Sequence, residues 1–454
     1  MHREEFQNAL RKGLGRAVQH VRNSPPEMVR GDLVHTCTHF LGMNLQDEGS
    51  RVLWLFSMIE ATGEPDFYRQ KVIVALEQMP DDPDDSETFN ELFELLAEFA
   101  VRDDAEALAI MRRRFETANV LYEPHFGFEE LFRIEGIDAL IRLLCREWKR
   151  VRDDETLCVW DDEIKHAEET LGKEIVQAVL EKESLGNESV RLYLERLTRQ
   201  EKSKTEQKPP SQSPLPRLTE LVDGLNEDLP QETDWTDDTF RDVFWRRKTL
   251  FLHSGRLYAK PTPEELEYAF QKLLEVTDPG RQFCLLATFV KETMPRLEPR
   301  LLSLFDSSIT HLRWEAAKAF SRMSDPQVRA KGLELIAKAP VFNDWSLGIG
   351  LLEKNYQPED EALLRRTFEL IPPNIDPQEL WHICYDTLAL IDNNAEFLFE
   401  SILPWIYENM PCPHCRSRSV RLMIQRNIAS KNLLEECLDD SYEDTRKLAR
   451  SALP

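Results

Sequence analysis

Two cysteines separated by Pro413 and His414, in Pro411-Cys412-Pro413-His414-Cys415-Arg416, form the sharpest chemical motif of this 454-residue chain. At the start of a helix such thiols have a lowered pKa, because the helix N-terminal amides and Arg416 favour thiolate. The same pair is half of a zinc site. A second Cys-x-x-Cys is absent, so His382, Cys384 and Cys437 supply further ligands only if the fold happens to gather them. A structural turn and helix cap explains the motif more simply. His35 and His39 stand at i and i+4, the spacing at which two imidazoles on one helix face chelate a metal. No carboxylate or third ligand lies at a helical step beside them, and histidines near a helix interface account for the pair. Cys412, Cys415, His35 and His39 are therefore the metal or thiol candidates, and no metal or other cofactor is expected.

Other chemistry is sparse. Phe244-Trp245-Arg246-Arg247-Lys248, with Arg256 and Lys260, mixes an aromatic with bases in the manner of a nucleic-acid contact. The chain as a whole opposes that use: 82 acidic against 57 basic residues give a formal charge of −25, a field that repels phosphates and favours basic partners. Arg112-Arg113-Arg114 and the arginines between 142 and 152 read as solvated helix faces paired with nearby acids. Asp161-Asp162-Glu163 and Asp237-Asp238 are acid pairs of a kind that arises readily in so acidic a chain. No phosphate-binding glycine loop, dinucleotide glycine pattern or nucleophile elbow is present. The expectation is a protein that is not an enzyme.

The elements that must position these residues are helices. Glycine is scarce, at 16 residues, and 31% of the chain is charged, which suits solvent-edged helices better than turn-rich sheets. Helices of ten to twenty residues are predicted to about Gln200, broken at Ser24-Pro25-Pro26, Gln46-Asp47, Gly63-Glu64-Pro65, Pro80 to Asp85 and Glu123-Pro124. No apolar run approaches the roughly 20 residues of a membrane span, and the N-terminus lacks a secretory apolar core. A cytoplasmic protein with reduced cysteines follows as an expectation. Arg199 to Arg217, with five basic and two acidic residues, reads as a flexible linker. Asp223 to Asp242 is acidic, and a second helical array begins there.

Leu301 to Lys338 shows how that array is built. Leu312, Ala316, Ala319, Phe320 and Met323 recur at three- and four-residue steps and must be buried. Asp306 and Arg313 can hold one turn against the next, and Ser324-Asp325-Pro326 ends one helix and caps another. Second helices are predicted to begin near Ile309, Phe342, Pro377, Pro413 and Tyr442, at steps of 33, 35, 36 and 29 residues. The last of them, Asp440-Ser441-Tyr442-Glu443-Asp444-Thr445-Arg446, resembles the second helix of a HEAT repeat: an aspartate, a short turn, then an arginine one turn in, followed by Ala449, Ala452 and Leu453. The usual valine before that arginine is Thr445, and the aspartate-to-arginine spacing around Arg313 is one residue longer. The resemblance, to bacterial HEAT-like (HEAT/armadillo) proteins, covers Pro279 to Pro454 and more faintly the N-terminal half. It implies a right-handed superhelix of antiparallel helix pairs, used mainly for protein binding. Alkylpurine glycosylases of this architecture hold duplex on a basic concave face with aromatics and a carboxylate, and Trp314, Trp345, Trp381 and Trp405 are tryptophans of that kind. The Cys-Pro-His-Cys tetrapeptide resembles that of thioredoxin-like disulfide oxidoreductases, but no strand pattern frames it here.

The fold expected is all-α, an α-solenoid of HEAT/ARM-like pairs: an array over 1–198, a linker over 199–217 and a second array over 218–454. The function expected is a non-catalytic scaffold or adaptor that offers an extended acidic surface to a protein with a basic surface. Nucleic-acid binding and a Cys412-Cys415 metal or thiol protein are the alternatives. Partner binding is assigned to Arg313, Trp314, Asp344, Trp345, Trp381 and His382 on the second array.

Overall fold

Acidic or threonine caps followed by proline fix where several helices begin. Thr262-Pro263, Asp278-Pro279, Asp325-Pro326 and Asp376-Pro377 each place an oxygen on an otherwise unpaired amide of the first turn and a pre-set proline at the first helical position. A computed structural model describes residues 1–42, 51–81, 85–118, 126–154, 156–206, 217–228, 260–338, 342–372 and 374–453. Among these every regular element is a helix, so the chain is all-α.

Two units divide the chain: Met1–Pro209 with Lys431–Pro454, and Pro210–Ser430. Unit 1 contains α1 (Arg3–Lys12), α2 (Gly15–Arg22), α3 (Pro26–Thr38), α4 (Val52–Ala61), α5 (Pro65–Gln78), α6 (Ser86–Ala100), α7 (Ala105–Thr117), α8 (Phe128–Glu135), α9 (Ile137–Val151), α10 (Asp162–Leu171), α11 (Lys173–Gly186) and α12 (Glu188–Glu206). Unit 2 contains α13 (Leu218–Asp228), α14 (Pro263–Glu275), α15 (Pro279–Lys291), α16 (Thr310–Phe320), α17 (Pro326–Ala337), α18 (Phe342–Leu351), α19 (Glu361–Glu369), α20 (Pro377–Asn393), α21 (Ile402–Asn409) and α22 (Pro413–Gln425), with a 3-10 helix over Pro299–Asp306. The final pair, α23 (Lys431–Cys437) and α24 (Glu443–Ala452), belongs to unit 1.

In unit 1, α6 is buried along most of its length and is packed on by α3, α4, α5, α7 and α8, its glutamates at 87, 91, 94 and 98 falling on one stripe. The final pair docks on α2. The Ser441 amide donates to the Gly13 carbonyl at 2.9 Å, Trp54 Nε1–H donates to the Asp439 carbonyl at 3.0 Å, and Arg16 reaches Glu436 at 2.7 Å. Gly15 makes this approach possible, because a Cβ there would lie 1.9 Å from the Glu436 carbonyl oxygen. The sequence reading ran the second array through residue 454, whereas residues from Lys431 onward pack with the N-terminal unit. Nothing in a helix-pair repeat distinguishes its last member until the docking surface, here opened by a glycine, is known.

In unit 2, α16, α18, α20 and α22 form one row in which each helix packs on the next. The 3-10 helix, α17, α19 and α21 form the other. The rows meet at α17 and α18, where Gly332 and Gly348 face each other: a Cβ on Gly348 would lie 2.7 Å from the Gly332 carbonyl oxygen. Leu312, Ala316, Ala319, Phe320 and Met323 are buried as their spacing requires. Two expectations change. The linker expected from Arg199 is helical through Glu206, since its Lys, Glu, Gln and Arg residues are good helix formers that let α12 run on; residues 207–216 lie outside the described residues. Arg313 pairs with Asp344 on α18 rather than with Asp306. Asp306, on the 3-10 helix, takes Lys331 of α17 at 3.1 Å instead.

Substituting Gly15→Ala is expected to lower the unfolding free energy of unit 1 by about 1–3 kcal/mol, the usual scale of overpacking. Amide hydrogen exchange over 431–453 should speed up; exchange there at the wild-type rate would contradict the docking described.

Candidate partner-binding face

The row of α16, α18, α20 and α22 gathers most of the residues to which partner binding was assigned. Trp314 on α16 and His382 on α20 meet edge to face, their ring centroids 4.3 Å apart, although α18 stands between their helices in the row. Ser346, a small residue of α18, lies in the intervening helix. Trp381 turns its edge to His382 at 4.9 Å and stacks on Tyr385 at 5.1 Å with 23° between the planes. Tyr385 is 45% exposed, and Arg418 of α22 stands over its ring at 5.8 Å while binding Asp392. The result is an aromatic shelf, one edge in solvent and the other resting on the row.

Charges support the shelf from beneath. Arg313 and Asp344 form an ion pair between α16 and α18, with Asp344 buried. The Ser346 hydroxyl donates to Asp386 Oδ2. Burial pushes the Asp386 carboxyl up from 3.8 to about 7, against the pull of the Ser346 hydrogen bond and Lys318 and with the help of Glu353. Burial likewise raises Glu353, and it lowers His382, beside which Lys318 adds positive charge.

Trp345 does not belong to this surface. It is 1% exposed and fills the core, where an indole of that size contributes most by burial. Trp405, on the other row, packs edge-on against Phe368 at 4.8 Å. Four residues of the shelf and its support were missed in the sequence: Ser346, Tyr385, Asp386 and Arg418. The signal available was the i,i+4 spacing of Trp381 with Tyr385 and of His382 with Asp386, which puts both pairs on neighbouring stripes of α20.

The metal and thiol candidates lie elsewhere. Cys412 caps α22 and Cys415 sits in its first turn, yet both are buried, at 3% and 1% exposure. Their shared hydrogen bond, burial and the neighbouring Cys412 and Cys384 push the Cys415 thiol up, so the lowered pKa expected at a helix start is reversed. Arg416, wholly buried, spends Nη1 on the Pro411 carbonyl at 2.7 Å. His35 and His39 approach with ring centroids 4.5 Å apart, but His39 Nδ1 lies 3.2 Å from the His35 carbonyl oxygen and serves the end of α3. Among the described residues no three or more His, Cys, Asp or Glu gather as a metal ion would require. The basic segment Phe244 to Lys248 lies outside the described residues. No described helix is long and apolar enough to cross a membrane.

The chain matches no protein-family model, no curated protein and no solved structure.

The Asp386 carboxyl holds its proton in the folded state to a higher pH than in the unfolded chain. Its contribution to stability is therefore complete below about pH 4 and is lost as pH rises to about 7. Asp386→Asn is expected to flatten that part of the stability profile and to gain stability relative to wild type at pH 8, as read by urea unfolding at a series of pH values. A parallel profile for the two proteins would contradict the assignment.

Proposed function

We propose that this protein is a non-catalytic scaffold or adaptor, that its helix pairs continue as an α-solenoid of the right-handed HEAT/armadillo-like kind, and that the row of α16, α18, α20 and α22 receives a protein partner. The observation that carries the reading is the shelf of Trp381 and Tyr385. Large aromatics stacked with one edge in solvent, beside an arginine, are the residues that dominate binding energy at protein interfaces. The contact of Trp314 with His382 across an intervening helix supports a concave surface there, of the sort along which solenoids bind extended partners. A formal charge of −25 favours a partner with a basic surface and speeds its encounter. Arg313 and Asp344 hold the shelf in place rather than touch the partner, and Trp345 acts through the core.

The test is affinity capture from host lysate with the full chain as bait, with and without nuclease, comparing wild type with Trp381→Ala/Tyr385→Ala. A nuclease-resistant protein partner retained about tenfold or more weakly by the double variant is expected, on the scale of interface anchors. Capture that disappears with nuclease would instead favour the nucleic-acid reading, and equal capture by both baits would remove the shelf from the interface.

A further inference from the structure

A cleft of about 500 Å³ opens in unit 1 among α4, α6, α8 and α10, far along the sequence from the aromatic shelf. Its apolar surface comes from Val52 and Phe132, which are buried, and from Leu53, which leaves 63% of its surface in solvent at the rim. Such exposure of a leucine beside a cavity is surface that an apolar chain can cover. The polar lining is mainly acidic: Glu94, Glu98, Glu129 and Glu130 outnumber Arg133 and His166, with Thr170 beside them. Glu98 is almost fully buried and already neutralised, by Arg133 at 2.7 Å and Arg102 at 3.1 Å. Arg133 is committed to Glu98 and acts on Glu130 only as a neighbouring charge, so carboxylates outnumber cations along this wall. Burial and the neighbouring Glu129 raise the Glu130 carboxyl, against the pull of its own backbone hydrogen bond and of Arg133.

We propose that this cleft binds a lysine-bearing segment of a protein partner, the alkyl part of a lysine side chain lying along Leu53 and Phe132 and its ammonium reaching Glu129 and Glu130. Several features select that occupant. A hydrocarbon stem ending in a compact cation matches an apolar wall that ends in carboxylates. The volume exceeds one side chain and suits a short stretch of peptide. A divalent metal is a poor match, because among the described residues no three or more carboxylate, imidazole or thiol groups converge. The proposal rests on the scaffold reading for the partner's being a protein, and it places a basic contact on unit 1 that is separate from the shelf.

Fluorescence anisotropy of a labelled peptide of alternating lysine and leucine, titrated with the full chain at low and at physiological salt, tests it. Glu129→Gln/Glu130→Gln is expected to weaken binding about tenfold, or about 1.4 kcal/mol. Glu174→Gln/Glu181→Gln removes the same formal charge from exposed positions outside the cleft and is expected to change affinity less than about twofold. Circular dichroism of both variants checks the fold. Absence of wild-type binding, an equal loss in the two variants, or spermine binding more tightly than the peptide would overturn the proposal; the second result would reduce it to attraction by the overall charge. Trp381→Ala/Tyr385→Ala is expected to bind this peptide as wild type does. Should the cleft variant bind unchanged while the shelf variant loses the captured partner, the cleft fails and the scaffold reading stands.

Discussion

Orphan carbonyls at the ends of the second helices, and the side chains that reach them from the next helix, hold unit 2 together. Asn355, just past α18, donates from Nδ2 to the Leu351 carbonyl of its own last turn at 2.9 Å and to Met323, just past α16, at 2.8 Å. Asn394 repeats the arrangement at the end of α20, with Leu390 at 2.8 Å and Glu353, beyond α18, at 3.0 Å. Arg426 closes the series from α22 to Ile391 at 2.9 Å. Each bond contributes on the order of 1 kcal/mol, but leaving such a buried carbonyl without a partner costs about 1–3 kcal/mol. The ladder thus sets the register of α16, α18, α20 and α22. That register brings Trp314 to His382 and Ser346 to Asp386, so the shelf is a consequence of the helix ends.

Glycine scarcity explains why side chains take this role. A helix usually ends on a residue in the left-handed region, most cheaply glycine. Among the described glycines those with positive φ are Gly13, Gly63, Gly127, Gly136 and Gly172, all in unit 1. In unit 2 Asn427, at φ 57°, takes the turn after α22, and amide or guanidinium groups satisfy carbonyls elsewhere. Arginines act similarly at helix starts. Arg416 and Arg446 occupy the fourth position of α22 and α24 and fold back on the carbonyls five and six residues earlier, Pro411 and Met410 in one case, Ser441 and Asp440 in the other. Arg196 does the same service for the end of α9 and the turn beyond it, donating to Val151 and Asp154.

Much of this was legible in the sequence, because it depends on local chemistry. Asp325-Pro326 and Gly136 begin helices where capping and backbone freedom say they should, and α16, α18, α20, α22 and α24 start within a residue of the positions read from the repeat. The arginine one turn inside the helix was visible at Arg313 and Arg446. Its partner was not, since local spacing suggests Asp306 whereas the next helix supplies Asp344. Periodicity cannot separate Trp345, in the core, from Trp381, on the surface, because both lie on helices that bury one side. The cysteine motif misled for a related reason: a helix start lowers a thiol pKa only while solvent or charge can reach it, and Cys412 and Cys415 are buried. The docking of α23 and α24 on α2 depends on the absence of a side chain at Gly15, which no pattern of apolar residues reveals.

The most direct measurement is amide hydrogen exchange across unit 2 in Asn355→Leu, a near-isosteric change that removes the hydrogen bonds to Met323 and Leu351, and the one accepted from the Asp325 amide, without opening a cavity. If the ladder sets the register, exchange should rise at the ends of α16 and α18, spread along 310–393, and be accompanied by loosened packing of Trp314 on His382, seen as altered tryptophan fluorescence. Wild-type exchange over 310–393 with unchanged fluorescence would mean that apolar packing alone fixes the row, and the ladder would lose its place at the centre of the account.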